Sequence, residues 1–243
     1  MAKTILVTGG AGGICSEISR GLAADGLNVV VADYAKDGAE KVAAEIRDAK
    51  GSAIAVQVDV GDPKSVASMM EQAVAKYGQV DNIFCGAGVM DRVAIIDMPE
   101  EMWDRLMRIN LNGVFLCAQA AARHMIPRNE GRILSIASGR GVAGQPRSAH
   151  YAASKAGVIA FTKSLAVELA PNNITVNCVC PGATDTPMSR IGFSEEQFKK
   201  REEVPPLLDG LTHKFEIVGL VRYLLSDAAR YITGQTYFLR TPK

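Results

Sequence analysis

The chain has 243 residues, of which 48% are hydrophobic and 22% are charged, and its net charge is +1 at pH 7. This composition is typical of a globular protein with one substantial core, and the balanced charge argues against nucleic acid or a membrane surface as a partner. All apolar runs are shorter than the roughly 18 residues of a membrane-spanning helix, so we expect no membrane span.

Short apolar runs alternate along the chain with longer segments that have helical spacing. Strands are predicted at residues 5–8, 28–33, 53–59, 82–86, 132–137, 175–180 and 235–239, and helices at residues 39–50, 63–77, 100–125 and 152–169. Most of the predicted strands are continuously apolar, as in parallel strands that are covered on both faces. The pattern predicts an α/β fold, a doubly wound parallel sheet of about seven strands in a single domain over residues 1–243.

The first predicted strand runs into a glycine-rich turn that extends from Gly9 to Gly13 and is followed by Ile14. Glycines at a strand-to-helix turn permit positive φ and let backbone N–H groups approach a pyrophosphate at the helix N-terminus. Because the spacing is not the common G-x-G-x-x-G, the turn alone is equally compatible with an ordinary flexible loop.

Acidic residues end the next two predicted strands. Asp33 ends the second, where a carboxylate can accept both ribose hydroxyls of an adenosine and repel a 2′-phosphate. The turn and the position after Asp33 carry no Lys or Arg, which favours NAD over NADP. Asp59 and Val60 end the third strand, where they could meet an adenine edge, although Asp59 could equally just start a turn.

Tyr151 and Lys155 lie four residues apart in a predicted helix and therefore share one face. An ammonium beside a phenol stabilises the phenolate and lowers its pKa, which would make the pair an acid/base catalyst; an ordinary amphipathic helix is the alternative. Ser138 follows an apolar strand, at the sheet edge where doubly wound folds place chemistry. Asn110 is a polar residue in an apolar helical pattern, and a water bridging it to Lys155 would satisfy its amide.

In order and spacing, these residues resemble the short-chain dehydrogenase/reductase superfamily, single-domain type with a Y-x-x-x-K site and a Rossmann sheet. The resemblance covers essentially the whole chain. The matching residues are Thr8, Gly9, Gly13, Asp33, Asp59, Val60, Gly86, Ala87, Gly88, Asn110, Ser138, Tyr151, Lys155, Pro181, Gly182, Thr186 and residues 231–236.

The resemblance implies a role for each residue of the site. Tyr151 would be the general acid/base, Ser138 would bind the substrate oxygen, Lys155 would hold the nicotinamide ribose, and Asn110 would anchor a water relay. It also implies NAD(H) as cofactor, no metal, and a homotetramer or dimer formed through the long helices and the last strand. The implied cofactor-binding residues are Gly9, Gly13, Ile14, Asp33, Asp59, Val60, Ala87, Gly88, Tyr151, Lys155, Pro181, Gly182, Thr184 and Thr186.

Three features depart from the family pattern. Cys15 replaces a glycine that lets the first helix pack closely, and Cys85-Gly86 replaces two asparagines. The C-terminus lacks the family's glycine-rich ending, which makes a dimer possible. Since Cys15 is small, we expect the turn to survive, with the thiol between the first helix and the sheet or towards the pyrophosphate.

The substrate pocket is expected after strands four, five and six. Arg92, Arg140 and Arg190 could converge there on an anionic substrate or face water at its rim, with Gln145 nearby. Further candidates are Met90, Gly139, Met188 and Phe193, whereas His150 is expected at a surface or interface. Residues 183–212, with a solvated helix at 195–203, are interpreted as a substrate-binding loop or mobile lid.

Three functions remain open from the sequence. The first is an NAD(H)-dependent oxidoreductase that acts on a secondary alcohol or ketone. The second is a β-ketoacyl thioester reductase acting with an acyl carrier protein, which would require basic residues near the pocket mouth and would usually use NADPH. Arg128 fits, but Asp33 and the neutral Asn172 and Asn173 do not. The third is an NAD-binding regulatory protein without catalysis, against which the intact Ser138, Tyr151 and Lys155 argue.

Five cysteines without the spacing of a zinc site indicate a reducing setting. Cys178 and Cys180 lie on one strand, where core packing explains them best. Because the N-terminus enters a strand at once, we expect no signal peptide and a cytoplasmic protein.

Overall fold

The computed structural model describes residues 2–191, 194–204 and 210–239. In this part of the chain, one sheet contains seven strands: β1 (Thr4–Thr8), β2 (Asn28–Asp33), β3 (Ser52–Gln57), β4 (Asn82–Cys85), β5 (Gly131–Ile136), β6 (Ile174–Cys180) and β7 (Thr236–Phe238). All neighbouring strands are parallel, in the order β3-β2-β1-β4-β5-β6-β7. The predicted doubly wound parallel sheet is confirmed.

Helices cover both faces of this sheet. The described helices are α1 (Gly13–Ala24), α2 (Lys36–Asp48), α3 (Pro63–Tyr77), α4 (Glu100–Met107), α5 (Gly113–Met125), α6 (Arg140–Ala143), α7 (Ala149–Leu169), α8 (Pro187–Arg190), α9 (Glu195–Glu202) and α10 (Lys214–Leu225). The core has two layers, because α3, α5 and α7 bury apolar residues on one face of the sheet and α1, α2 and α10 on the other. The strand order reverses between β1 and β4, and such a switch point is where open α/β sheets bind ligands.

The largest difference from the predicted elements lies in the segment 100–125, for which one continuous helix is the sequence-based expectation. Helices α4 and α5 are separated there by a π-helical turn at Arg108–Asn112. Close packing of Gly113 accompanies the break, since a Cβ at this glycine would lie 2.7 Å from Val60 Cγ2. π-helical turns are frequent at functional sites, and this one carries Asn110.

The remaining differences are small. The third strand ends at Gln57, two residues earlier than predicted, because Asp59 already turns the chain by accepting the Gly61 N–H at 2.9 Å. Helix α10 is not among the predicted segments.

The five cysteines are free and buried, so Cys178 and Cys180 pack in the core as expected. Within the described ranges, no helix is long and apolar enough to span a membrane.

Candidate active site

A cavity of about 870 Å³ opens at the carboxyl ends of the strands and is centred on the switch point. All residues predicted to bind the cofactor line it, from the glycine turn after β1 to Thr186 at the start of α8. The volume falls in the range of about 300–1,000 Å³ that is common for small-molecule and cofactor sites. The structure therefore brings together side chains that are distant in sequence.

The glycine turn has the geometry of a close backbone approach. Gly9 has a φ of 71°, and a Cβ there would lie 2.8 Å from Ala87 Cα. Thr8 Oγ1 accepts hydrogen bonds from the N–H groups of Gly86 and Ala87 at 3.1 and 3.3 Å, which ties the ends of β1 and β4 together. At Gly13 a Cβ would lie 2.6 Å from Thr186 Cγ2. Side chains are thus excluded where a pyrophosphate would need the backbone.

Two of the departures from the family pattern contact each other. Cys15 is 4% exposed, and its Sγ occupies the space that a Cβ at Gly86 would need. Burial raises the pKa of Cys15 to about 12, so the thiol is neutral and packs as an apolar group. The Cys15 side chain therefore lies between α1 and the sheet, in the first of its two expected places, and Gly86 makes room for it.

This packing predicts coupled effects on stability. Gly86→Ala is expected to lower the free energy of unfolding by about 2 kcal/mol, because the new Cβ would overlap Cys15 Sγ and approach the Thr8 carbonyl oxygen at 2.9 Å. In a Cys15→Gly background the penalty should fall by about 1 kcal/mol, since the contacts with the Thr8 carbonyl oxygen and with Phe84 Cε1, also at 2.9 Å, remain. Urea unfolding of the four proteins measures the coupling, with Gly219→Ala, whose Cβ meets nothing within 4 Å, as control. Equal penalties in both backgrounds would contradict the contact.

Two carboxylates line the cavity where the sequence predicts the adenosine half of a dinucleotide. Asp33 accepts the Ala11 N–H on Oδ2 at 3.0 Å and the Ala35 N–H on Oδ1 at 2.9 Å, which fixes its orientation beside the glycine turn. Asp59 forms an ion pair with Arg108 at 3.0 Å, and Arg108 also lines the cavity. Arg108 is not among the residues predicted from the sequence; its signal is a basic residue two positions before Asn110, on the π-helical turn.

The predicted catalytic residues meet on the other side of the switch point. Tyr151 and Lys155 project from α7 and are 8% and 3% exposed. Ser138, in the loop after β5, lies close enough to the Tyr151 phenol to lower its pKa, and Lys155 Nζ lies 5.7 Å from the centre of the tyrosine ring. A hydroxyl, a phenol and an ammonium at one point can bind and protonate a carbonyl oxygen.

The protonation of this group differs from the expectation that Lys155 lowers the Tyr151 pKa. Burial raises the pKa of the Tyr151 phenol above its ordinary value, and the groups that lower it are Arg140 and Ser138. Lys155 Nζ instead donates to the Ile136 carbonyl oxygen at 2.9 Å, and burial lowers its own pKa to about 8. The ammonium therefore remains largely protonated at pH 7, and desolvation of the phenol outweighs the opposing effects of Arg140 and Ser138 on its pKa.

Asn110 is fully buried and holds the chain after β4. Its Oδ1 accepts the Val89 N–H at 2.8 Å, and its Nδ2 donates to the Val89 carbonyl at 2.9 Å. A Cβ at Gly88 would lie 3.2 Å from Asn110 Oδ1 and 3.8 Å from Lys155 Nζ, so both groups flank the same glycine. The sequence offers a water bridging to Lys155 as one partner of Asn110; its protein partners in the structure are the Val89 backbone and Ser154 Oγ, to which Nδ2 donates at 3.4 Å.

The four predicted substrate residues separate into two pairs. Arg140 and Gln145 line the cavity. Arg92 and Arg190 do not belong to the described residues that line it. Arg190 pairs with Asp185 at 2.7 Å and with Glu195 at 2.9 Å. The three arginines therefore do not converge, because the ion pairs hold Arg190 between α8 and α9.

The structure also places the further candidates for the substrate pocket. Met90, Gly139 and Met188 line the cavity. His150 is fully buried, contrary to the expected surface or interface position, because α7 turns it inward next to Tyr151. The Phe193 prediction lies outside the described residues. Between 183 and 191, Pro187, Met188 and Ser189 form one wall of the cavity.

Comparison with known proteins gives concordant matches. The family model described as short chain dehydrogenase matches residues 3–197. A 3-oxoacyl-(acyl-carrier-protein) reductase of Staphylococcus aureus (strain Mu50) is 38% identical over 238 residues, which cover 97% of this chain and 96% of the relative.

Solved structures extend the likeness to the whole described fold. A short-chain type dehydrogenase/reductase from Mycobacterium marinum is 35% identical with a TM-score of 0.89, covering 98% of this chain and 94% of that one. A 3-ketoacyl-(acyl-carrier-protein) reductase from Brucella melitensis complexed with NADH is 31% identical with a TM-score of 0.90, covering 98% and 96%.

Proposed function

Because the chain belongs to the short-chain dehydrogenase family and is thus an oxidoreductase, we propose that it interconverts a secondary alcohol and a ketone with NAD(H). The observation that carries the proposal is the convergence of Ser138, Tyr151 and Lys155 in one cavity with the glycine turn. A regulatory protein without catalysis would have no need for this group.

The residues of the cavity fit a dinucleotide with a nicotinamide. Gly9 and Gly13 would accommodate the pyrophosphate, because a Cβ at either position would collide with a neighbouring segment. Asp33 would accept the ribose hydroxyls and disfavour a 2′-phosphate, and Asp59 with Val60 would border the adenine. Support for NAD(H) also comes from the Brucella relative, whose structure contains NADH.

The chemistry would divide between cofactor and protein. When bound, NADH supplies the hydride for the carbonyl carbon. Ser138 would orient the carbonyl oxygen and Tyr151 would donate the proton to it, so that ketone, NADH and one proton yield alcohol and NAD⁺. Lys155 would hold the nicotinamide ribose, and Asn110 would keep the Val89 backbone, and with it Gly88, in position beside Lys155.

The thioester reductase is the second candidate, and the name of the Staphylococcus relative favours it. The basic residue that would suit an acyl carrier protein is engaged elsewhere, since Arg128 donates to the Val80 carbonyl and to Asp81 at 3.1 and 3.2 Å. Asn172 donates to Asn129 and carries no charge. These contacts favour a small-molecule substrate.

The test is a panel of ketones, oxo acids and 3-oxoacyl thioesters with NADH or NADPH, followed at the nicotinamide absorbance. We expect turnover of small ketones with NADH. Turnover confined to carrier-bound thioesters would establish the second candidate, and an inert protein that still binds NADH would contradict both.

We further propose a homotetramer, or a dimer, formed through α5 and α7. Phe115 on α5 is 42% exposed and packs edge-on against Phe161 of α7, and Val167 of α7 is 78% exposed. Residues 183–212 would act as the substrate loop or lid. The free buried thiols are compatible with a cytoplasmic location.

An apolar association surface predicts sensitivity to charge. Val167→Glu should reduce the mass measured by light scattering at micromolar concentration, because assembly would bury the new carboxylate. Val167→Leu keeps the apolar character and serves as the control. A monomeric wild-type protein would reject the assembly, and an unchanged mass for Val167→Glu would reject this surface.

A further inference from the structure

The part of the cavity beyond Ser138 and Tyr151, where a substrate would extend, contains a basic side chain. Arg140 begins α6, and its backbone N–H donates to Ser138 Oγ at 3.3 Å. Its guanidinium lies with Nη1 2.8 Å from Met90 Sδ and with Cζ 5.8 Å from the centre of the Tyr151 ring. Arg140 is therefore next to both groups that would hold the reacting oxygen.

The backbone next to Arg140 is closely packed on α7, and the side chain is held by its contacts with Met90 and the Tyr151 ring. Helix α6 rests on α7 through Gly141, where a Cβ would lie only 2.7 Å from the Ala156 nitrogen and 2.8 Å from the Lys155 carbonyl carbon. Arg140 therefore lies on the helix that packs against α7 next to Lys155. A preorganised guanidinium loses less freedom when it binds an anion than a mobile one does.

The surroundings of the guanidinium strengthen its interaction with an anion. Met90 contacts the guanidinium, Val89, Ala143 and Met188 also line the cavity, and a less polar environment increases the energy between charges. The charge of Arg140 also acts on the phenol, since it lowers the pKa of Tyr151. Gln145 adds a polar group, with its Oε1 buried and without a described hydrogen-bond partner.

From this geometry we infer that the substrate is a secondary hydroxy acid or the corresponding oxo acid, whose carboxylate binds the Arg140 guanidinium while its reacting oxygen binds Ser138 and Tyr151. A planar guanidinium matches a carboxylate with two parallel hydrogen bonds. Gln145 would bind a second polar atom of the same molecule. The inference rests on the proposed ketone and alcohol chemistry and adds the class of substrate.

The kinetic test compares 3-oxobutanoate with 4-hydroxybutan-2-one, in which a neutral hydroxymethyl group replaces the carboxylate, and with 2-oxopropane-1-sulfonate. We expect kcat/KM to favour 3-oxobutanoate over the neutral ketone by at least 100-fold. Arg140→Met should abolish this preference, mainly through KM, and Arg140→Lys should restore part of it. Arg47→Met, which removes a charge on α2 outside the cavity, should leave the preference unchanged.

A second readout separates substrate binding from a structural role. Arg140→Met should move the rising limb of the pH profile for 3-hydroxybutanoate oxidation to higher pH, because the Tyr151 pKa would rise. Equal use of neutral and anionic ketones, or equal losses for both in Arg140→Met, would overturn the inference but leave the proposed function intact. A preference for 2-oxopropane-1-sulfonate over 3-oxobutanoate would indicate a sulfonate substrate and so overturn the inference that the substrate is a hydroxy or oxo acid.

Calorimetry with an unreactive analogue distinguishes failure of the inference from failure of the proposed function. Butanoate should bind the NADH complex at least tenfold more tightly than butanamide, and Arg140→Met should remove the difference. If no ketone is reduced, the proposed function fails; binding of butanoate that does not depend on Arg140 overturns the inference in either case.

Discussion

Tyr151→Phe is expected to lower kcat/KM by about 10³-fold or more, because the phenol is the proposed proton donor and general acid/base catalysis contributes about 10²–10⁴-fold. The ring, which is 8% exposed, keeps its packing, so only the hydroxyl and its interaction with Ser138 are lost. NADH binding, measured by fluorescence titration, should change less than about threefold, a difference of under 1 kcal/mol.

Tyr223→Phe is the matched control, because it makes the same chemical change on the outer side of α10 and should leave activity unaltered. If Tyr151→Phe retains activity within about tenfold of the wild type, which is about 1.4 kcal/mol of transition-state stabilisation, the phenol is not the proton donor. A loss of NADH binding would instead indicate that the substitution disturbs the site as a whole.

Asp33→Ala is expected to weaken NADH binding about tenfold or more and to reduce the preference for NADH over NADPH by about 100-fold. Each tenfold change in affinity or preference corresponds to about 1.4 kcal/mol. Two effects combine: the ribose hydroxyls lose their acceptor, and the repulsion of a 2′-phosphate disappears. The Ala11 and Ala35 N–H groups also lose the carboxylate that positions them. Asp33→Asn keeps the shape and should show mainly the electrostatic effect.

The measurement is kcat/KM with both cofactors, supported by calorimetry with ADP-ribose, which needs no turnover. Asp37→Ala removes a neighbouring exposed charge at the start of α2 and should alter neither value. A wild-type protein that prefers NADPH would contradict the assignment of Asp33.

Burial makes the activity of the site depend on pH in a defined direction. Because burial raises the pKa of Tyr151, the phenolate needed for alcohol oxidation forms only at alkaline pH in the cofactor-free protein. Oxidation should accordingly rise with pH through the tyrosine pKa, whereas ketone reduction, which uses the neutral phenol, should fall. The Lys155 pKa of about 8 adds a second titration at lower pH than that of the phenol.

The parts of the site that could be predicted from the sequence are encoded locally. A glycine turn between a strand and a helix, an acid at the end of the next strand, and Tyr151 with Lys155 one helical turn apart each depend on residues that are close along the chain. The continuous apolar runs similarly require two covered faces, and hence a parallel sheet. These features determined the fold and the residues that line the cavity.

The features that only the tertiary structure decided are contacts between distant segments. Cys15 packs on Gly86, the π-helical turn aims Asn110 at Val89, and Asp59 pairs with Arg108. Likewise, the sequence does not distinguish Arg92, Arg140 and Arg190 as candidate substrate contacts. The packing of α6 on α7 brings Arg140 into the cavity, whereas ion pairs with Asp185 and Glu195 hold Arg190 outside it. Local patterns specify which residues share a face of an element, but the distance between two elements, and the desolvation that raises the Tyr151 pKa, arise only when the layers pack together.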